Sequence, residues 1–166
     1  GVLGLSLAFA LVFLAFGGRR WVAPIGRDPV SRVRMAVVAG GKPARTDVAR
    51  IAVRGGFSAL ACALHTGRTH QIRVHLASRG HPLVADALYG GRAALGMTRQ
   101  ALHAVRLVLT HPDDGRELVL DCPPPADFAH AWEAVAGSAA TPTRAPDRAQ
   151  APGDAPGDPG ATTIQT

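Results

Sequence analysis

The residues best equipped for chemistry lie close together. From Leu64 to Asp86 the chain reads LHTGRTHQIRVHLASRGHPLVAD, three arginines and four histidines threaded through a short apolar rhythm. Such a stretch could hold a metal, cradle a phosphate or read a nucleic acid. The metal reading fails on spacing. His65, His70 and His75 are five residues apart. On a helix that spacing leaves neighbouring side chains roughly 140° apart, and on a strand it sends them to opposite faces. No H-E-x-x-H and no Cys/His cluster accompanies them, so no metal site is expected. A nucleotide P-loop around Gly41-Lys42 fails too. It requires Gly at position 36 and Ser or Thr at 43, where the chain has Ala36 and Pro43.

Anion binding is better founded. Thr66-Gly67-Arg68-Thr69 leads into a predicted helix, and Arg68 and Arg73 flank the turn. Gly67 permits a close backbone approach, and His70 and Arg73, three apart, share a helical face. An Arg that holds a carboxylate or phosphate through two parallel hydrogen bonds is a plausible active-site element. Surface charges on an ordinary capped helix would give the same spacing, and on spacing alone both readings stand.

The elements that must position these residues can be outlined. WVAPIGRDP, with two prolines and a glycine, is a loop or edge segment, and RVRMAVV alternates like a half-buried strand entering a turn at AGGKPA. DVARIAVRGG and FSALACALHTG are strand-length runs joined at Gly55-Gly56, a hairpin signal. THQIRVHLASRG reads as a helix capped by Thr69 and ended by Gly80, with Ile72 and Leu76 on one face. HPLVAD and then ALHAVRLVLTHPDDGRELVLDCPPP resume strand character, the latter pair turning at PDDG. DFAHAWEAVAG is an amphipathic helix with Phe128, Trp132 and Val135 on one side. The pattern predicts an α+β domain: a mixed, mostly antiparallel sheet with flanking helices.

Charge is unevenly spread. Residues 19–79 hold twelve Arg or Lys against Asp28 and Asp47, whereas residues 80–166 hold six bases against ten acids. A basic block of this kind favours a polyanionic partner, although only Lys42 is a lysine and an arginine-preferring genome would produce the same bias. Cys62 and Cys122 form no C-x-x-C pair, in keeping with a reducing cytosol. Three segments are expected. Residues 1–21 are an apolar stretch of doubtful origin, 22–137 the domain, and 138–166 a Pro/Gly/Ala-rich tail that buries too little to order itself. The apolar run VLGLSLAFALVFLAF falls short of the ~20 residues that span a bilayer. A truncated membrane anchor, a buried strand or helix, and a translation artefact are the readings it allows. The chain starts with Gly, so upstream sequence is expected to be missing, and a frame shift or misplaced start is preferred to an anchor.

The stretch LHTGRTHQIRVHLASRGHPLVADALYG resembles a conserved block of RluA-type RNA pseudouridine synthases. APIGRDP with RVRMAV, then GGKPARTDV, then RQALHAVRLVLTHPDDG and PPPADF resemble further pieces of that family in the same order, over roughly Ala23 to Phe128. The resemblance implies an enzyme that isomerises uridine to pseudouridine in ribosomal or transfer RNA, without metal or small-molecule cofactor. It also implies a cytoplasmic monomer. The family uses an Asp at the glycosidic bond, a Tyr that stacks on the target base, an Arg that pairs with the Asp, and an apolar pocket wall. Arg73 matches the Arg; Arg68, Thr69, His70 and Gln71 would shape the same RNA-binding corner. Leu102 and Leu107 match the apolar block, or are plain core. The H-R-L-D-x-x-T-S-G block with the nucleophilic Asp and the block with the stacking Tyr have no counterpart in residues 1–21. Asp28, Asp47, Asp86 and Tyr89 belong to other family-like segments. The chain therefore resembles the C-terminal part of a synthase, and the 166 residues alone are expected to be inactive. A non-catalytic RNA-binding module and a small membrane-tethered protein are the alternatives.

Overall fold

The structure, a computed structural model, describes the backbone of residues 5–13 and 19–138. Its centre is a six-stranded antiparallel sheet. Its strands in chain order are β1 (Leu5–Phe13), β2 (Arg19–Val22), β5 (Arg45–Arg54), β6 (Phe57–Leu64), β7 (Leu102–Thr110) and β8 (Glu117–Asp121). Across the sheet the order is β2-β5-β6-β1-β7-β8. A separate short ribbon joins β3 (Ile25–Arg27) to β4 (Met35–Val37). Two helices, α1 (Gln71–Ala77) and α2 (Ala126–Ala136), complete the α+β architecture expected from the sequence.

β6 shows how the sequence builds two layers. Successive strand residues point to opposite faces, and here both faces are covered. Leu60 and Cys62 pack with Ile72 and Leu76 of α1, while Ala59 and Ala61 pack with Phe128, Trp132 and Val135 of α2. The alanines leave room for the rings of α2, whose apolar stripe is the one the 3.6-residue period predicts. Phe128 is fully buried and stacks at 6.0 Å on Trp132. Burying a side chain of that size contributes roughly 1.5–3 kcal/mol. The β5–β6 hairpin turns at Gly55-Gly56, both with positive φ (58° and 80°), which only glycine adopts without steric cost.

Two expectations change. Thr69 does not cap α1. The N-cap is His70, in the left-handed region at φ 55°, with no side-chain capping bond. The other end behaves as expected. Gly80 (φ 78°) donates to Ala77, and His81 donates to Leu76, closing the last turn. HPLVAD is not a strand. Beyond an isolated bridge at Leu83 it coils through turns, because its backbone bonds go to loop partners: Ala85 pairs with Arg92, and Ala101 donates to Val84. Gly91 seats that loop, since a Cβ there would lie 1.8 Å from the Leu83 carbonyl oxygen. Strands on the N-terminal side of residue 22 belong to the same sheet. β1 lies between β6 and β7, in register from Ser6↔Leu64 to Phe13↔Phe57, and β2 pairs with β5. The tail expected at 138–166 lies, from residue 139 on, outside the described residues. Among the described residues no helix is long and apolar enough to cross a membrane.

Candidate active site

Arg73 projects from α1 onto the loop that follows it. Its Nε and Nη2 donate to the two oxygens of Asp86 at 2.9 and 2.8 Å. The Asp86 side chain is 1% exposed and that of Arg73 14%. A sequence reading that leaves Asp86 as a mere turn residue misses this pair. Arg73 finds a carboxylate within the chain, thirteen residues on. The hydrogen bonds to Asp86 raise the pKa of an already strongly basic group, so Arg73 is a fixed cation. Two parallel bonds set the plane of the guanidinium. Nη1 has no hydrogen-bond partner among the described residues.

Tyr89, in a single 3-10 turn (Ala87–Tyr89), ties the corner together. Its ring lies 4.8 Å from the guanidinium carbon of Arg73 and 5.4 Å from that of Arg34, a cation–π arrangement at both. The phenol oxygen accepts the Met35 N–H at 3.0 Å and lies 2.9 Å from His70 Nδ1. Burial and then the charge of Arg73 lower the pKa of His70, against the pull of Asp86. In its neutral form the imidazole can accept the phenol's own hydrogen. Both His70 and Ala85, the residue before Asp86, sit at positive φ (55° and 58°). Each costs of order 1–3 kcal/mol, the kind of strain that surrounding structure must sustain and that gathers at functional sites.

Behind this corner runs a directed polar chain. Thr66 Oγ1 accepts the Arg45 N–H and donates to Gln71 Oε1, which also accepts the Arg68 N–H. Gln71 Nε2 donates to the Arg45 carbonyl and to Thr46 Oγ1. Thr46 Oγ1 in turn meets His75 Nδ1 at 3.0 Å, and His75 Nε2 meets the Ala23 carbonyl at 3.1 Å. The carbonyl can only accept, so Nε2 carries the hydrogen and Nδ1 accepts from Thr46. Burial lowers the pKa of His75, and the Ala23 bond only partly offsets it. The network pins the Thr66–Thr69 loop to the start of β5.

In front of the loop opens a cleft of about 460 Å³ between the β3–β4 ribbon and the loop. Arg27, Lys42 and Arg68 line it, together with Met35, Gly67 and Thr69, and among the described residues no acidic one does. Arg68 is held by its Nε donating to the Pro43 carbonyl at 3.0 Å. The nearest carboxylate in sequence, Asp28, is turned to its own loop, accepting from the Val30 and Ser31 N–H groups. Met35 and Thr69 connect cleft and corner, because their neighbours Arg34 and His70 both lie against Tyr89.

The residues predicted from sequence thus divide. Arg73 and His70 meet in the corner, and Arg68 and Thr69 line the cleft. Gln71 is 3% exposed with both acceptor and both donor positions filled, so it holds the loop and does not face a ligand. Leu102 packs into the apolar cluster beside α1, and Leu107 lies 36% exposed opposite Leu120; neither lines the cleft. His65, His70 and His75 go to three different partners, Asp47, Tyr89 and Thr46. Asp86, Tyr89, Arg34, Arg27 and Lys42 were not signalled by spacing, because the fold brings them in from β3 and three separate connecting segments.

An α+β domain with a clamped arginine beside an acid-free basic cleft has the make-up of a protein that handles a polyanion. Comparison with known proteins specifies it. The family model described as RNA pseudouridylate synthase matches residues 18–78. The chain is 49% identical over 121 residues to the ribosomal large subunit pseudouridine synthase D of Nitrosomonas europaea, covering 68% of this chain and 35% of that protein. It is 53% identical over 107 residues to an uncharacterized RNA pseudouridine synthase of Chloroflexus aurantiacus, covering 64% and 34%. Among solved structures, human RNA pseudouridylate synthase domain containing 1 superposes with a TM-score of 0.61 at 27% identity, over 74% of this chain and 55% of that one. The chain belongs to the RluA-type RNA pseudouridine synthase family. It spans about a third of the length of the curated relatives it matches.

Proposed function

We propose that this chain contributes the arginine side of an active site that isomerises uridine to pseudouridine in ribosomal or transfer RNA. The observation that carries the reading is the guanidinium of Arg73. One edge is fixed by buried Asp86, while Nη1 is left for a second anion. A planar cation so held can orient a catalytic carboxylate and favour its ionised form. Asp86 itself does not suit that role. Both of its oxygens are taken by Arg73 and the residue is 2% exposed, so it cannot reach a base. It is a positioning residue, and the carboxylate that acts on RNA is the one the family carries in its H-R-L-D block. That block does not occur in these 166 residues. Taken alone, they are expected to bind RNA without converting it.

The reaction breaks the C1′–N1 bond, forms C1′–C5 and releases the C5 proton, while N1 takes up a proton in its place. It can therefore be followed as pseudouridine in a map of cellular RNA. Cells whose chromosomal codon for Arg73 is changed to Ala should lose one or more pseudouridines from ribosomal or transfer RNA, while the Arg73→Ala protein keeps most of its RNA affinity. A map identical to that of the parent strain would reject the role given to Arg73. Together with retained RNA affinity, it would favour a non-catalytic RNA-binding module.

A further inference from the structure

The cleft beside the corner has a feature that packing within the chain does not explain. Four glycines line it. A Cβ at Gly26 would lie 2.7 Å from Val38, and one at Gly41 2.7 Å from the backbone of Ile25, so neighbours require both to be glycine. Gly40 has φ 78°, which favours glycine whatever the space. Gly67 has neither reason. Its φ is unexceptional and a Cβ there would meet nothing within 4 Å. Gly67 lines the cleft, and a Cβ there would stand in open space. The same cleft carries two cations, Arg27 and Lys42, whose side chains hold no hydrogen bond or ion pair among the described residues, and a third, Arg68, whose side chain is tethered through Nε alone.

We propose that the cleft between the β3–β4 ribbon and Thr66–Thr69 seats phosphodiester groups of the RNA strand that leads into the Arg73 corner, with Gly67 kept bare so that the backbone can approach. The proposal rests on the function proposed above for its ligand, an RNA strand, and deepens it. Arg27 and Lys42 supply sequence-independent attraction. Arg68, held by Pro43, is preset for a phosphate oxygen at the corner side. Phosphates held here would fix the strand while the target base leaves its stack.

The test is the affinity of the 166-residue chain for a single-stranded RNA oligonucleotide at a series of salt concentrations. Arg27→Gln and Lys42→Gln should each weaken binding and each reduce the slope of log affinity against log salt by about 0.7, the loss of one phosphate contact on a single strand. Arg116→Gln, which removes a cation paired with Asp114 in the β7–β8 turn, should leave the slope unchanged. Gly67→Ala should leave the thermal midpoint at or above that of the parent, because no contact is disturbed, yet weaken RNA about fivefold or more by filling occupied space. Slopes unaltered in Arg27→Gln and Lys42→Gln, or full affinity in Gly67→Ala, would overturn the proposal. Its failure is separable from that of the enzyme reading. If the Arg73→Ala map is unchanged while the slopes fall, the phosphate seat stands and the isomerase does not. If the map changes while the slopes hold, the reverse is true. A chain that binds no RNA oligonucleotide would overturn the phosphate seat.

Discussion

The two faces of the sheet are built on opposite plans. On the α2 face the cluster of Ala59, Ala61, Val105, Phe128, Trp132 and Val135 is wholly apolar. On the α1 face, Leu60, Cys62, Ile72 and Leu76 share the interior with Thr46, Gln71 and His75, all buried and joined by hydrogen bonds. An apolar face gains from area alone and tolerates small shifts. A buried polar chain is costly unless every partner is met, and when met it allows one arrangement. The difference teaches which face serves the site. Arg73, the Thr66–Thr69 loop and the cleft all hang from the α1 side.

The sharpest way to test this division is to damage the apolar face. Phe128→Ala removes a fully buried ring from the α2 cluster and should destabilise the fold by about 3–5 kcal/mol, read from the urea midpoint. Because no residue of the α2 cluster lines the cleft, the molecules that remain folded should bind RNA with undiminished affinity. An affinity loss beyond the folded fraction would show that the two faces are coupled.

Part of this division is legible in the sequence and part is not, for physical reasons. The β5–β6 hairpin, α2 and its buried stripe follow from local signals: two adjacent glycines and a 3.6-residue period. Arg73 and the Thr66–Thr69 loop stand out through residue type and resemblance. The partner of Arg73 does not. Asp86 reaches it through a loop whose path depends on Ala85 in the left-handed region and on Gly91 packed against Leu83, and neither shows as periodicity. His70 as a left-handed N-cap is likewise hidden, because Thr69 is the better capping residue by type. Arg27 reaches the cleft from β3, a strand of three residues, and Lys42 through an isolated bridge to Ile25.

A smaller effect should separate the faces by pH. His75 accepts from Thr46 only while neutral. Protonated, it would present a hydrogen to Thr46 Oγ1, which already receives one from Gln71. Burial, aided by the charge of Arg79 and only partly offset by the Ala23 bond, depresses its folded pKa below the ordinary 6.5. For a base depressed in this way, the unfolded chain binds more protons as acidity rises through that value. Stability should be level above about pH 7 and fall as pH drops from 6.5 towards 5. His70 is depressed in the same direction and adds to the decline. Asp47, lowered by its bond to Arg45, enters only below that window. Urea midpoints measured at pH 7.5 and 5.5 should differ, and His75→Gln should reduce the difference. An unchanged difference in His75→Gln would mean that the buried chain is not the pH-sensitive element.

The smallest effect isolates environment from geometry. Arg106 pairs with Asp121 as Arg73 does with Asp86, through Nε and Nη2 to the two carboxylate oxygens, at 2.6 and 3.0 Å. The bond lowers the pKa of Asp121 and raises that of Arg106, as the bonds to Asp86 raise that of Arg73. They differ in their surroundings. Side-chain exposure is 32% and 55% for the β7–β8 pair against 14% and 1% for the pair in the corner. Water and salt screen the first, and its partners can be rehydrated at little cost when separated. Breaking the second strands a carboxylate that water cannot reach. Arg106→Ala should therefore leave the thermal midpoint within error of the parent at moderate salt, whereas Arg73→Ala lowers it clearly. Equal losses in the two variants would show that bidentate contact, and not burial, is what the corner contributes.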